Sequence, residues 1–241
     1  ESEHEVTLTG GYYIGIYEVT QEEFDDFMGY DNSHNGGNPD HPVEYLTWYE
    51  AAALANAVSV SAGLAECYAC SGSGTSVSCS LDSAFALPYA CEGYRLPTEA
   101  EWEMAARAET TSAFSNGGSL YSGDESDVSG SLLLDNGTYL DDIAWYWGDT
   151  RYSMEVGTKD PNAWGLYDVH GNVREWCHDT WDRNDYVSGA VTDPVGASGS
   201  YRVSRGGSWD SIPSDLRSTI RHGNSPDYRS TYRGLRLARS E

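Results

Sequence analysis

Three segments of the chain combine a helix-starting signal with an apolar face. Each begins with a threonine followed three residues later by a glutamate, the capping-box pattern in which the two residues satisfy each other's backbone N–H groups. The apolar residues that follow have helical spacing. The capping pairs are Thr20 with Glu23, Thr47 with Glu50, and Thr98 with Glu101, and the expected buried faces are Phe24, Phe27 and Met28; Ala51, Leu54 and Ala55; and Trp102, Ala105 and Ala106. We therefore expect three helices, all before residue 110.

Strand signals are short and lie towards the two ends of the chain. GYYIGIYEV (11–19) alternates enough to predict a strand before the first helix, and YRVSRGG (201–207) and RGLRLAR (233–239) predict two more. Residues 115 to 165 are rich in Gly, Ser, Asp and Trp, which predicts long ordered loops with short strands. No internal repeat or linker is visible, so the sequence predicts one α+β domain over residues 1–241 with much irregular structure.

The charge balance narrows the possible partners. There are 38 acidic against 14 basic residues, for a formal charge of −24. Nucleic acid is not expected to bind, because its phosphates need compensating cations. Anionic membrane surfaces would be repelled, and no apolar run reaches the roughly 20 residues of a spanning helix, so no membrane insertion of this chain is expected.

Four of the five cysteines, Cys67, Cys70, Cys79 and Cys91, cluster with the spacing C-x2-C-x8-C-x11-C. Two local disulfides would hold a Gly/Ser-rich loop that has few apolar residues, and they would place the protein in an oxidising compartment. A structural zinc site is the alternative, although the second pair is not spaced as in zinc knuckles. The remaining Cys177 is expected to be a buried free thiol beside Trp176.

Six motifs occur in order along nearly the whole chain: YYIGIYEVTQEEF, HPVEYLTWYEA, GYRLPTEAEWEMAARA, PNAWGLYDVHGNVREW, YRVSRGGSW and RGLRLA. Together they resemble the family of the formylglycine-generating enzyme and its relatives. The resemblance implies a single elaborated C-type lectin-like domain. It does not by itself imply an activity, because one fold carries many functions.

The resemblance also identifies where oxidase chemistry would lie. The formylglycine-generating oxidases carry a reactive cysteine pair shortly after the RGGSW motif, and here the corresponding stretch, DSIPSDLRST (210–219), contains no cysteine. Because the thiolate is the copper ligand and nucleophile in that chemistry, we expect no catalytic residues and no redox cofactor. For His41, His170 and His178 we expect structural or surface roles.

The segment DVHGNVRE (168–175) places two carboxylates around a Gly-Asn turn. Its similarity to a family motif implies a structural Ca²⁺ site, with the Asp168 and Glu175 side chains and the Gly171 and Val173 carbonyls as ligands, since calcium takes oxygen ligands. The alternative is that Glu175 pairs with a core arginine and that Asp168 caps a turn.

Residues 206–236 combine frame residues with others that follow no helix or strand period. The resemblance is to one branch of the family, the variable proteins diversified by retroelements, in which mutation of template adenines alters mainly AAC codons in this segment. Lys, Glu, Gln, Met and Trp, which AAC cannot give, are absent from 210–234. The candidate ligand-binding residues, all reachable from AAC by adenine changes, are Asp210, Ser211, Ile212, Ser214, Asp215, Ile220, His222, Gly223, Ser225, Tyr228, Ser230, Thr231 and Tyr232. The alternative is a paralogue whose loop drifted after its cysteines were lost.

The sequence thus favours a non-catalytic, receptor-like or adhesin-like protein that binds a protein or glycan on another cell or host surface. Its tyrosines would supply rigid contact area, its Ser, Asp and Thr adaptable hydrogen bonds, and His222 a charge that depends on pH. We expect it outside the cytoplasm on a bacterial cell surface, with a lipid anchor on a removed N-terminus as one route of attachment. The alternative function is a family enzyme, an oxidoreductase or accessory factor, that works without the cysteine pair.

Overall fold

The computed structural model describes residues 4–124, 126–127, 131–182, 189–196 and 199–241. Three helices form at the three capping boxes: α1 (Gln21–Met28), α2 (Trp48–Ser61) and α3 (Glu99–Arg107). In each, the threonine oxygen accepts from the glutamate N–H, and the glutamate side chain accepts from the threonine N–H. These reciprocal bonds explain why the helix starts could be predicted from four residues.

The predicted buried faces are correct for α2 and α3, whose apolar residues named above are all buried. Of the three residues predicted for α1, Phe24 is buried and Met28 is half-buried against the core, whereas the prediction for Phe27 is wrong, because its side chain is 42% exposed. Helix α1 has 8 residues and ends at Gly29, which adopts the left-handed conformation. Phe27 lies in its last turn and lines a surface groove beside Val58 instead of entering the core.

The strands are short. Those of the described residues are β1 (Val6–Thr7), β2 (Tyr12–Ile14), β3 (Tyr68–Ser71), β4 (Ser78–Leu81), β5 (Tyr94–Arg95), β6 (Arg174–Trp181), β7 (Val191–Thr192), β8 (Tyr201–Arg205), β9 (His222–Asn224), β10 (Arg233–Gly234) and β11 (Ala238–Ser240). The central sheet has the order β10–β6–β8–β9, with β10 parallel to β6 and the other pairs antiparallel. A second sheet, β2–β11–β5, joins the two ends of the chain, and β1–β7 and β3–β4 form separate pairs.

Strands β2 and β8 confirm the first two strand predictions, and the third segment divides into β10 and β11 around Leu235. The longest strand, β6, was not predicted. Its first six residues are all buried, so it has no alternation of apolar and polar positions to reveal it. Within the described part of 115–165, the chain is irregular as predicted, with a 3₁₀ turn at Leu140–Asp142, but the short strands expected there do not form.

The cysteine cluster forms two disulfides, Cys67–Cys91 and Cys70–Cys79, which confirms the disulfide prediction over the zinc alternative. The second bridge joins register partners of the β3–β4 hairpin. Cys177 is a buried free thiol, as expected, and burial raises its pKa well above the ordinary value. None of the described helices has the length and apolar character needed to cross a membrane.

Candidate ligand-binding surface

The C-terminal segment, residues 206–236, leaves the end of β8 through two glycines. Gly206 and Gly207 have φ values of 94° and 75°, and a Cβ on Gly207 would lie 2.5 Å from Leu216 Cδ2, so a side chain is excluded there. The turn brings Leu216 into the core, where its carbonyl contacts His170 Nδ1 at 2.8 Å. The two glycines therefore decide where the segment begins and how it returns to the protein.

Frame residues attach the segment to the rest of the molecule at several points. Trp209 donates its backbone N–H to the Asn172 carbonyl and its indole N–H to the Thr231 carbonyl, at 2.8 and 3.0 Å. An ion pair joins Arg221 to Glu99, and Arg229 reaches Glu50 at 2.7 Å. These attachments join residues that lie far apart in the sequence. The segment is therefore a mostly irregular chain on a rigid support, which is a common arrangement for binding loops.

The predicted ligand-binding residues differ in accessibility. Asp210, Ile212 and Tyr228 are exposed, whereas the half-buried ones are Ser214, Asp215, Ile220, His222, Gly223, Ser225, Thr231 and Tyr232. Ser211 and Ser230 are only 1% and 6% exposed. We call the exposed and half-buried set the candidate surface.

Ser211 and Ser230 do not belong to this surface, which corrects the sequence prediction for both. The Ser211 Oγ accepts hydrogen bonds from Arg174 Nη2 and from the Ser208 N–H, each at 3.0 Å. The Ser230 carbonyl accepts from the Tyr45 N–H at 3.0 Å. Both serines therefore act in the frame, and residue type alone could not distinguish them from exposed serines.

Gly223 lies under the indole ring of Trp181, a residue that the sequence did not single out. A Cβ on Gly223 would lie 2.3 to 2.6 Å from the Trp181 ring atoms. Any other residue at this position would therefore have to displace the tryptophan. Gly223 therefore presents only backbone at this position, and Trp181 lies against the candidate surface.

Two arginines lie directly beneath the tyrosines of the candidate surface. The guanidinium of Arg233 is 5.3 Å from the Tyr228 ring centroid and 4.5 Å from that of Trp176, and the guanidinium of Arg174 is 5.2 Å from that of Tyr232. Cation–π contacts of this kind stabilise a guanidinium away from water. Neither arginine was a predicted site residue, because their proximity depends on the pairing of β10 with β6.

The arginines also set the charge of His222. Burial, followed by the neighbouring Arg174 and Arg233, lowers the pKa of His222 to about 4. The imidazole of His222 is therefore neutral near pH 7, and the pH dependence expected of its charge lies in a more acidic range than for an ordinary histidine. For Arg174 and Arg233, burial lowers the pKa, and in Arg233 the adjacent Arg174 lowers it further, to about 10.

The predicted calcium ligands lie elsewhere, in the core. Both Glu175 oxygens accept from Arg236, at 2.6 and 2.7 Å, and one also accepts from Trp102 Nε1 at 2.6 Å. Asp168 Oδ2 accepts from the Gly157 N–H at 2.7 Å, while Asp168 Oδ1 is buried without a hydrogen-bond partner.

The fit of these residues to a calcium ion is therefore incomplete. Asp168 offers a free oxygen, but Glu175 already holds a guanidinium, as in the alternative considered for it. Between the two lies Glu18, which accepts from the Val173 N–H and whose pKa is raised by burial and by both carboxylates. No group of three or more His, Cys, Asp or Glu side chains in the described ranges is arranged to hold a metal ion. Calcium stays a prediction.

The histidines have structural partners. His170 is buried and uses both ring nitrogens. Its Nε2 accepts from the Ser115 N–H, and its Nδ1 donates to the Leu216 carbonyl. His178 contacts the Tyr68 hydroxyl at 3.2 Å, and burial lowers its pKa to about 3. These environments favour neutral, packed imidazoles, in line with the roles expected from the sequence.

Comparisons with known proteins agree with this architecture. The family model of the sulfatase-modifying factor enzyme 1-like domain matches residues 1–241. A chaperone protein LppX of Paenibacillus barcinonensis is 31% identical over 273 residues, covering 100% of this chain and 84% of that protein. A formylglycine-generating enzyme of Streptomyces coelicolor is 31% identical over 209 residues, covering 84% of this chain and 54% of the enzyme.

The solved structure of Treponema denticola variable protein 1 matches with a TM-score of 0.79 and 32% identity, over 99% of this chain and 87% of that one. The fold is thus the α+β, elaborated C-type lectin-like fold that the motifs implied. The chain belongs to the sulfatase-modifying factor enzyme 1-like domain family.

Proposed function

We propose that this protein is a non-catalytic ligand-binding protein whose candidate surface contacts a protein or glycan on another cell or host. The observation that carries the proposal is the placement of Asp210, Ile212 and Tyr228 as exposed side chains on an irregular segment that buried frame residues hold in position. A rigid support with variable, solvent-facing positions suits recognition by shape.

The chemistry of the site supports binding over catalysis. The stretch 210–219 has no cysteine, and the one free thiol, Cys177, is buried with a pKa raised by burial. A thiol that stays protonated is a poor nucleophile and a poor metal ligand. The similarity to Treponema denticola variable protein 1 favours the same interpretation.

A direct test uses the surface itself. All codons of the candidate surface except that of Gly223, where a side chain would displace Trp181, would be randomised to NNC, and the displayed library would be selected against a probe protein such as lysozyme. We expect most members to stay folded and binders to emerge, because the altered side chains are not part of the core. A control library at exposed positions outside the segment, such as Tyr13, Val60 and Met104, should give no enrichment. A first library that unfolds or yields no more binders than the control would contradict the proposal.

We further propose that a retroelement diversifies the segment and that the protein acts outside the cytoplasm at a bacterial cell surface. The residue types at 210–234 support the first statement, and two disulfides, which form in oxidising compartments, support the second. The genome should carry a reverse transcriptase near an AAC-rich copy of the 3′ coding end. A complete genome without that copy would count against diversification and leave the binding proposal standing.

The alternative, an enzyme without the cysteine pair, draws on the similarity to formylglycine-generating enzymes. It requires oxygen consumption with a thiol peptide in the presence of copper or iron. We expect none above the rate of a heat-denatured sample. Turnover that depends on the folded chain would replace the binding proposal.

A further inference from the structure

The pairing of β10 with β6 places two arginines side by side. Arg233 and Arg174 are register partners on these adjacent parallel strands, so their side chains leave the sheet on the same face. Like charges in this position repel each other, and the pKa of Arg233 is lowered first by burial and then by this repulsion from Arg174. We call Arg174 and Arg233 the arginine pair.

The arginine pair has no carboxylate partner among the described residues. Five arginines of those ranges are buried, and the other three, Arg95, Arg205 and Arg236, each form ion pairs with glutamate. Within the described part of the chain, the side chains of the arginine pair donate hydrogen bonds only to the Ser211 Oγ and the Asn224 Oδ1, at 3.0 and 2.7 Å. Asp215 and Asp210 act on Arg174 electrostatically and raise its pKa against the effect of burial, but neither forms an ion pair with it.

Several polar hydrogens of this cluster are also unused. The Nε of Arg174 and the Nε and Nη1 of Arg233 are buried without an acceptor, and the Nε2 of the nearby His222 is buried without any hydrogen-bond partner. The residues themselves are only 8% and 2% exposed, so water satisfies little of this donor capacity. Buried cations normally have an anion or a set of acceptors to offset their desolvation.

We infer that the arginine pair binds a carboxylate group on an acidic side chain of a protein ligand, an inference that rests on the function proposed above. Two guanidiniums on register partners, with donors that lack acceptors, can hold a carboxylate through several charge-assisted hydrogen bonds. The neutral His222 adds a further nitrogen that donates in one tautomer.

The tyrosines determine what can enter. Their rings lie over the two guanidiniums, and their hydroxyl oxygens are 3.4 Å apart. Tyr228 is exposed, so its ring can turn outwards without opening the core. Because the two rings cover the guanidiniums, we expect the slender chain of an aspartate or glutamate to reach them more readily than a carboxylate fixed to a sugar ring. The exposed Ile212 and Tyr228 would then contact the surface around that side chain.

The test titrates the whole protein with acetate at constant ionic strength and follows the arginine Nε–Hε resonances by NMR. We expect the resonances of Arg174 and Arg233 to shift with a dissociation constant on the order of 10 mM, a range typical of one small anion. Neutral acetamide, of the same shape, should cause no shift. Arg174→Gln and Arg233→Gln assign the resonances, and each should weaken acetate binding at least tenfold, whereas Arg217→Gln, in the same segment, should not.

If the Nε–Hε resonances of Arg174 and Arg233 do not shift with acetate, the inference is wrong. The rings of Trp176, Tyr228 and Tyr232 would then be enough to offset the desolvation of the two guanidiniums. The peptide acetyl-Gly-Glu-Gly-amide should bind more tightly than glucuronate, and the reverse order would overturn the assignment to a protein side chain. Failure of the NNC library with intact acetate binding would reject the proposed function and leave the anion site. A successful library without acetate binding would reject only the anion site.

Discussion

The buried arginines among the described residues fall into two groups, which differ in whether a carboxylate is paired with the guanidinium. In the core, Arg95, Arg205 and Arg236 are paired with glutamates, and the Arg236–Glu175 pair also receives the Trp102 indole N–H. Beneath the candidate surface, Arg174 and Arg233 have aromatic rings but no carboxylate. An arginine that is paired with a glutamate stabilises one arrangement of the chain. Two arginines without a carboxylate partner keep hydrogen-bond donors available for a ligand.

The two environments are adjacent in the sequence. Arg174 and Glu175 are neighbours on β6, and because successive side chains of a strand point to opposite faces, one contributes to the candidate surface and the other to the core. Arg233 and Arg236 likewise share one motif but have different partners. The register of the strands therefore decides which arginine is paired with a glutamate and which has no carboxylate partner.

The largest predicted effect on stability concerns the arginines that are paired with glutamates. Glu175→Gln should destabilise the protein by about 3–5 kcal/mol, because it leaves the Arg236 guanidinium buried with a neutral partner. Urea unfolding followed by tryptophan fluorescence measures the change. The double variant Glu175→Gln with Arg236→Met should be less destabilised than the sum of the single variants. A loss below about 1 kcal/mol, typical of exposed pairs, would show that the two groups of arginines do not differ in the way described.

The calcium prediction concerns the same core cluster. A calcium ion bound by Asp168 and Glu175 would raise stability by about 3 kcal/mol at a hundredfold excess over its dissociation constant, so EDTA should lower the Tm. Asp168→Asn should remove that response. An unchanged Tm in EDTA would contradict the calcium site and leave Glu175 as the partner of Arg236 alone.

Glu44 is the opposite case: a buried carboxyl group that forms no ion pair within the described residues. Its Oε1 accepts from the Asn35 N–H while Oε2 has no partner, and burial raises its pKa from 4.5 to about 7. The unfolded chain releases this proton at lower pH than the folded protein, so the stability of the folded state falls as pH rises from about 4.5 to 7.

Glu44→Gln keeps the acceptor and removes the ionisation. It should therefore stabilise the protein by about 2 kcal/mol at pH 8 and have little effect at pH 4, as measured by urea unfolding at both values. Glu92→Gln, which removes an exposed glutamate, is the control and should show no such difference. Equal stabilities of the wild type and Glu44→Gln at pH 8 would contradict the raised pKa.

The smallest predicted effect on stability concerns the arginine pair. Arg233→Gln removes a buried charge that repels Arg174 and leaves no carboxylate unpaired, so we expect a change in unfolding free energy within about 1 kcal/mol, in either direction. Its comparison with Glu175→Gln, under the same conditions, is the most direct test of the distinction. A loss as large as that of Glu175→Gln would make Arg233 part of the structural core.

Local signals accounted for the features that could be predicted. The three capping boxes involve residues three apart, and the cysteine cluster lies within one loop, so both were visible without tertiary information. The ordered motifs implied the fold. The buried strand β6, the exposure of Phe27 and the frame roles of Ser211 and Ser230 were not visible, because each depends on packing between distant segments.

By itself, the sequence determined the helix starts, the disulfide-forming cysteines, the family and the segment without catalytic cysteines. Only the tertiary structure decided which residues of that segment face solvent, and that Arg174 and Arg233 lie side by side without a carboxylate. The physical reason is that capping and covalent chemistry act over a few residues. Strand register and burial, by contrast, bring together charges that are 59 positions apart in the chain.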